Sequence, residues 1–196
     1  VGEVMKTVEK DRSYYRRTGG GLTLSGGESL CQPEFARDLL RAAHEAGITT
    51  AMESMGCAEY RVIEEILPYL DQYLLDIKHM NSRKHEAFTG RGNEQMLENA
   101  KRIAASGMTE LSIRVPVIPG FNDTPEEIRD IAVFTKTLGH VKRLHLLPYH
   151  RLGQDKYSGL NRAYLMGEAL PPTNEKMQVL LKVAQEFSGV ECQIGG

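Results

Sequence analysis

Short apolar segments alternate along this chain with segments that have the apolar spacing of a helix. An alternation of this kind is typical of βαβ units, which place the strands in one parallel sheet. Five strand candidates are too few for a closed eight-stranded barrel, so a doubly wound sheet and an incomplete barrel both fit the pattern. The five candidates and a possible sixth are LTLS (22–25), ITTAMES (48–54), YLLDIK (73–78), LSIRVPVIP (111–119), RLHLLPY (143–149) and VECQI (190–194).

Helices are predicted in the intervals between these strands. The stripe of Val1, Val4, Met5 and Val8 predicts an amphipathic helix over residues 1–17. No linker divides the chain, so we expect a single domain over 1–196, and the opening without an initiator methionine suggests a fragment of a longer protein. The further predicted helices are 33–47, 59–70 with a break at Pro68, 93–106, 124–138 with Thr124 as the N-cap, and 173–187.

Composition excludes several classes of function. Lys and Arg number 24 against 26 Asp and Glu, a balance that predicts neither nucleic-acid binding nor a membrane surface. No apolar run approaches the length of a membrane span and no signal peptide is recognisable, so we expect a cytoplasmic protein. Cys31, Cys57 and Cys192 are far apart and odd in number. They predict neither a disulfide framework nor the ligand set of an iron–sulfur cluster.

Each of five successive predicted strands has a charged or titratable side chain within it or directly after it. Because the carboxyl ends of parallel strands meet at one edge, we expect these groups to lie together. Such a cluster suits a zwitterionic ligand: Lys78 and Arg114 for a carboxylate, Glu53 or Asp76 for an ammonium group or metal cation. Arg114 inside an apolar strand requires an anion, either a ligand or one of these carboxylates. In strand order the groups are Glu28, which follows Gly26 and Gly27, then Glu53, Asp76 with Lys78, Arg114 and His150. His150 could reach a hydroxyl of the ligand.

The glycine-rich stretch GGGLTLSGGESL (19–30) has two interpretations. One is a phosphate cradle, but the stretch lacks GK[ST] and GxGxxG, and Pro33 delays the following helix. The other is a ligand that lies against bare backbone, which glycines beside a strand permit. The sequence favours the second interpretation.

Four segments resemble a known family in the same order along the chain. They are GGGLTLSGGES (19–29), LLDIKHMN (74–81), IRVPVIPGFND (113–123) and LLPYHRLGQDKY (146–157). Together they are similar to the radical S-adenosylmethionine (SAM) activating enzymes of glycyl radical enzymes, the pyruvate formate-lyase activating enzyme family.

The resemblance implies an α/β fold, a partial TIM-like (β/α) barrel of the radical SAM type that lacks the first strand. It implies SAM and a [4Fe-4S] cluster at the strand ends. The reduced cluster would cleave SAM to a 5′-deoxyadenosyl radical, which would take a glycine Cα hydrogen from a partner such as pyruvate formate-lyase. An electron donor such as flavodoxin or ferredoxin would serve the cluster.

The resemblance also implies roles for single residues. The backbone around Gly26, Gly27 and Glu28 would bind the methionine amino group of SAM. Lys78 of the segment Asp76–Ile77–Lys78 would face the methionine carboxylate, Arg114 would be the strand arginine, and His150 would lie near the ribose. Glu53 and Asp76 would form a carboxylate pair able to hold a monovalent cation.

One departure from the family pattern affects the expected activity. The family's cluster-binding CxxxCxxC is absent, so we expect the 196-residue chain alone to be inactive. Met55 and Ser29 also depart from the usual residues. The alternatives are another radical SAM enzyme that modifies peptides, and a non-catalytic module that binds SAM or a partner.

Overall fold

The computed structural model describes residues 1–151, 159, 166, 167 and 169–195. Six strands form one sheet in which every neighbouring pair is parallel. The strands are β1 (Gly21–Leu24), β2 (Thr49–Ser54), β3 (Gln72–Asp76), β4 (Glu110–Val117), β5 (Val141–Pro148) and β6 (Glu191–Ile194). The five predicted strands and the possible sixth are confirmed, with ends shifted by one or two residues.

The strand order decides between the two predicted architectures. The strands follow one another across the sheet as β1-β2-β3-β4-β5-β6, without the reversal of direction that a doubly wound sheet contains. Within the described residues β1 and β6 form the two edges, so the sheet is not closed. The fold is therefore a partial barrel.

Helices connect successive strands, and they differ from the predictions in three places. The helix predicted over 59–70 with a break at Pro68 ends earlier, at Glu64, and a 3₁₀ turn follows at Leu67–Tyr69. The predicted helix 1–17 is two helices separated by a 3₁₀ turn at Glu9–Asp11, where Arg12 bonds both Glu9 and the carbonyl of Ala46. A helix after β3 was missed because it is polar and buries only His85. The helices are α1 (Gly2–Val8), α2 (Arg12–Thr18), α3 (Pro33–Glu45), α4 (Tyr60–Glu64), α5 (Ser82–Thr89), α6 (Glu94–Ser106), α7 (Pro125–Thr137) and α8 (Asn174–Ser188).

The two faces of the sheet differ in polarity. Alternate residues of the central strands, among them Leu75, Ile113 and Leu144, are buried in the main apolar core. The other set, which includes Asp76, Arg114 and the side chains in register with them, faces the concave interior of the partial barrel. The fold thus separates an apolar convex face from a polar concave one. No helix among the described residues is long and apolar enough to cross a membrane.

Loops after the strands are joined at the carboxyl edge by a buried asparagine. Asn122 donates from Nδ2 to the carbonyls of Lys78, at 2.6 Å, and Pro116, at 2.8 Å. Its Oδ1 accepts from the amide of Ile118 at 2.7 Å. Since Asn122 is fully buried, these bonds fix the ends of β3 and β4 relative to each other.

Candidate functional site

Arg114 lies between two carboxylates at the carboxyl edge of the sheet. Its Nη1 donates to Glu53 Oε1 at 2.6 Å, and its Nε donates to Asp76 Oδ1 at 2.9 Å. Lys78 Nζ lies 3.5 Å from Asp76 Oδ2. Arg114 therefore hydrogen-bonds both of the carboxylates that the sequence offered as its possible partners, Glu53 and Asp76.

A serine that the sequence interpretation did not single out extends this group. Ser25 Oγ, directly after β1, donates to Glu53 Oε2 at 2.7 Å. We call Ser25, Glu53, Asp76, Lys78 and Arg114 the edge cluster. It links four neighbouring strands and mixes two carboxylates with two cations.

The environment of the edge cluster shifts the pKa values of two members. Partial burial acts to raise the pKa of Glu53, but the hydrogen bonds from Arg114 and Ser25 outweigh it and lower that pKa. Burial acts to lower the pKa of Arg114, and the bonds to Glu53 and Asp76 raise it instead. Both groups are therefore charged at neutral pH.

The glycine-rich loop is attached to β2 through the carboxylate of Glu28. Glu28 Oε1 accepts from Ser54 Oγ at 2.6 Å and from the amide of Leu30 at 3.0 Å, and Oε2 accepts from the amide of Met55 at 3.0 Å. All of these donors belong to the protein itself, and Ser54 is a strand-end residue to which the sequence assigned no role. Gly26 has a φ of 122°, a conformation that side chains rarely allow.

Space for a ligand lies beside this loop. A Cβ atom added to Gly26 or Gly27 would meet nothing within 4 Å. A cavity of about 220 Å³ borders Gly27 and Glu28 and is lined on its other side by Phe35. The excess of glycine in the loop therefore leaves backbone accessible. Gly21 is a glycine for a different reason: a Cβ added there would lie 1.8 Å from the carbonyl oxygen of Thr49 on the neighbouring strand.

The other predicted site residues, Ile77 and His150, do not belong to the edge cluster. The side chain of Ile77 is buried in the core and its amide donates to the carbonyl of Arg114 at 2.9 Å, so its carbonyl is the polar group that it could offer a ligand. His150 is exposed two residues beyond β5. Residues 152–157 of the segment LLPYHRLGQDKY lie outside the described residues.

A larger cavity occupies the concave face next to the edge cluster. Its volume is about 480 Å³, and we call it the concave cavity. His145 is only 7% exposed, and within the described part of the chain neither of its ring nitrogens has a hydrogen-bond partner. The polar residues that line it are Glu53, Gln72, Arg114, Arg143, His145 and Gln193.

Two cofactors can be tested against these side chains. The edge cluster offers cations for a carboxylate and carboxylates for an ammonium group, and the glycine loop offers backbone, so the residues fit SAM. They do not fit a [4Fe-4S] cluster. Cys31, Cys57 and Cys192 lie on separate elements, and no three His, Cys, Asp or Glu of the described residues converge on one metal position.

Comparison with known proteins places the chain in a family. The model of the Radical SAM superfamily matches residues 1–134. The chain belongs to the radical SAM superfamily. Its relatives are the activating enzymes of glycyl radical enzymes, as the sequence resemblance implied, and members of the superfamily use SAM and a [4Fe-4S] cluster.

Two curated relatives and one solved structure define the similarity. The chain is 50% identical over 196 residues to the isethionate sulfite-lyase activating enzyme of Desulfovibrio desulfuricans, covering 99% of this chain and 62% of that protein. It is 34% identical over 189 residues to the pyruvate formate-lyase 1-activating enzyme of Escherichia coli, covering 95% and 76%. A crystal structure of a domain of pyruvate-formate lyase-activating enzyme from Bacteroides vulgatus matches with a TM-score of 0.75 and 30% identity, covering 90% and 99%.

The chain is shorter than these two curated relatives. The chain spans about six tenths of the length of the first of these relatives. The partial radical SAM barrel predicted from the sequence is confirmed by the unclosed parallel sheet and by the solved domain.

Proposed function

We propose that this chain is the SAM-binding part of an activating enzyme that generates the radical of a glycyl radical enzyme. The observation that carries the proposal is the edge cluster, in which Arg114 joins Glu53 and Asp76 beside Lys78 and the glycine loop. SAM held by these residues, together with a [4Fe-4S] cluster whose ligands are not among the described residues, would supply the one-electron chemistry for taking a hydrogen atom from a glycine Cα. The residues of this chain orient SAM for that chemistry.

Lys78 is the cation best placed for the methionine carboxylate of SAM in this proposal. Arg114 already has two carboxylate partners, whereas the ion pair that the described residues give Lys78 is the longer one to Asp76. A lysine with free donors can turn toward a ligand at little cost. Arg114 therefore positions Glu53 and Asp76, and Lys78 meets the ligand.

The methionine ammonium group is assigned to the glycine loop. The backbone of Gly26, Gly27 and Glu28 offers carbonyl oxygens, and Ser25 and Glu53 lie next to it. The carbonyl of Ile77 and the ring of His150 are assigned to the nucleoside half of SAM. A monovalent cation at Glu53 and Asp76 requires the guanidinium of Arg114 to move, because it bonds both carboxylates.

The partner in the proposal is a glycyl radical enzyme. The 50% identity to the isethionate sulfite-lyase activating enzyme favours a partner of that type over pyruvate formate-lyase, for whose activating enzyme the identity is 34%. An electron donor such as flavodoxin or ferredoxin and a cytoplasmic location belong to the same proposal. It assigns no cluster ligand within the described residues, because the three cysteines lie on separate elements.

Radical transfer to the partner tests the activity. The full-length protein, reconstituted with iron and sulfide under anaerobic conditions, is mixed with SAM, a reductant and the glycyl radical enzyme encoded near its gene. We expect the electron paramagnetic resonance signal of a glycyl radical on the partner. SAM cleavage without any radical on the partner would overturn the proposal and favour another radical SAM activity.

Direct binding tests the assignment of Lys78. By calorimetry, Lys78→Ala should weaken SAM binding by about tenfold, the loss of one charge-assisted hydrogen bond. Lys101→Ala, an exposed lysine on α6, is the matched control and should bind SAM as the unchanged protein does. Equal affinities for the two variants would contradict the assignment.

A further inference from the structure

His145 is a buried imidazole, and neither of its nitrogens has a hydrogen-bond partner among the residues that the structure describes. Buried polar atoms in folded proteins are almost always satisfied, so two unsatisfied nitrogens on one side chain require an explanation. His145 is one of the residues that line the concave cavity. Ser112 Oγ is a further buried atom for which the described residues provide no partner, and it belongs to the neighbouring strand and the same face.

The concave cavity is polar but offers few unpaired charges. Arg114 is held by Glu53 and Asp76, and Arg143 pairs with Glu191 at 3.1 Å. The other polar groups of its lining are neutral donors and acceptors: the amides of Gln72 and Gln193 and the ring of His145. Such a lining suits an uncharged polar ligand.

The imidazole of His145 is itself neutral at physiological pH. Burial lowers its pKa, and the nearby charges of Arg143 and Arg114 lower it further, while Glu191 acts in the opposite direction. A neutral ring has one nitrogen that donates and one that accepts. It can therefore bond both an N–H group and a carbonyl oxygen.

The substrate of the proposed function has a chemistry that matches this lining. Glycine has no side chain, so a protein that positions a glycine Cα must bind the peptide groups on either side of it. Peptide groups are uncharged and carry one donor and one acceptor each. The concave cavity supplies complementary neutral groups in the proposed enzyme.

The location of His145 in the sheet also agrees with a peptide site beside SAM. His145 lies in register with Arg114 on β4, which is itself in register with Asp76 on β3, and Gln193 lies beside His145 on β6. The row therefore begins at the edge cluster, where SAM is assigned, and ends at Gln193. A peptide bound along its second half would be adjacent to SAM.

We infer that His145, with Gln193 beside it, hydrogen-bonds the peptide main chain that flanks the target glycine of the partner. This inference rests on the proposed function and deepens it by naming the residues that position the substrate. His145 is then a substrate-binding residue and has no direct role in binding SAM.

Peptide binding to the full-length protein with SAM bound tests the inference. The probe is a short capped peptide centred on the radical-site glycine of the glycyl radical enzyme encoded near the gene, labelled for fluorescence anisotropy. We expect His145→Ala to weaken peptide binding at least tenfold, and His145→Gln, which keeps a donor and an acceptor, to restore most of it. His140→Ala is the matched control, because His140 is exposed at the opposite end of β5.

A change in the peptide distinguishes a main-chain contact from a general loss of packing. The same peptide with N-methylglycine at the centre lacks the central N–H donor. We expect it to bind the unchanged protein less tightly, and the difference between the two peptides to shrink in His145→Ala. Gln193→Ala provides a second variant should His145→Ala fold poorly, and it should also weaken peptide binding.

The outcomes separate this inference from the function on which it rests. Peptide binding that is equal in the unchanged protein and both alanine variants, or absent altogether, overturns the inference even where the partner acquires its radical. A parallel loss of SAM affinity in His145→Ala also overturns it. Histidine-dependent peptide binding without radical formation would instead refute the proposed activity and leave the contact intact.

Discussion

Arg114 and Glu53 lie on strands that are separated by β3, yet Arg114 Nη1 and Glu53 Oε1 are only 2.6 Å apart. The guanidinium crosses over Asp76 of the intervening strand and bonds it through Nε. The other oxygen of Glu53 accepts from Ser25, and the other oxygen of Asp76 lies 3.5 Å from Lys78. The guanidinium of Arg114 thus lies between the two carboxylates that the family resemblance assigned to a monovalent cation.

Removing this guanidinium should create a dependence on a small cation. In Arg114→Gln the partly exposed carboxylates of Glu53 and Asp76 lose the positive charge between them, and the two like charges repel each other. We expect SAM affinity, measured by calorimetry in choline chloride, to fall at least tenfold. Potassium chloride at the same ionic strength should restore part of it, because potassium can enter the vacated position and choline is too large.

An exposed arginine provides the control for that experiment. Arg61 is exposed and pairs with the exposed Glu59, so Arg61→Gln should bind SAM with the same affinity in either salt. If Arg114→Gln binds SAM as tightly as Arg61→Gln does, the guanidinium does not organise the site.

Glu28 should matter for the stability of the glycine loop. Its carboxylate accepts from three donors, and a glutamine in its place would turn an NH₂ group toward at least one of them. We expect Glu28→Gln to lower the free energy of unfolding by about 1–3 kcal/mol, the usual cost of an unsatisfied buried group. Urea denaturation measures the change.

The matched control for Glu28→Gln is Glu45→Gln, an exposed glutamate on α3. Its stability should be unchanged. A stability of Glu28→Gln equal to that of Glu45→Gln would show that the loop does not depend on the carboxylate.

Most members of the edge cluster could be predicted from the sequence. Parallel strands bring their carboxyl ends together, so Glu53, Asp76, Lys78 and Arg114 could be grouped from strand positions alone. The choice of partners for Arg114 could not be made in the same way. It depends on the register that sets Asp76 opposite Arg114 and on the reach of the guanidinium across β3.

Other features escaped prediction for physical reasons. His145 lies in the segment LHLLP, where Leu147 shares its face and hides the alternation that would have marked a polar position on the concave side. The helix Ser82–Thr89 has no apolar stripe from which to recognise it. The hydrogen bonds of Glu28 to Ser54 and Met55 join residues distant in sequence, which no local pattern reports.

Asn122 should couple loop stability to SAM binding. Its side chain bonds the carbonyls of Lys78 and Pro116 and the amide of Ile118, and all of these would lose a partner in Asn122→Ala. We expect the free energy of unfolding to fall by about 2–4 kcal/mol and SAM affinity to fall with it, because Lys78 is no longer held in place. Urea denaturation and calorimetry measure the two effects, and a large loss of stability with unchanged SAM affinity would separate Asn122 from the site.

Stability should fall as the pH decreases below the ordinary pKa of histidine, and His145 should account for part of the slope. Its pKa in the folded chain is lowered from 6.5, first by burial and then by Arg143 and Arg114. Between 6.5 and that lowered value the unfolded chain binds more protons, so unfolding becomes easier as the pH decreases. Glu53, whose pKa is lowered from 4.5, adds a loss of the same sign only at pH values below 4.5.

The variant His145→Gln isolates this contribution. Urea denaturation between about pH 5 and pH 7.5 should show a smaller slope for His145→Gln than for the unchanged chain, with the curves converging toward the acidic end. His140→Gln, at the exposed position before β5, should keep the original slope. Parallel curves for all three proteins would mean that His145 accepts a proton as readily in the folded chain as in the unfolded one, and that the concave cavity does not keep the imidazole neutral.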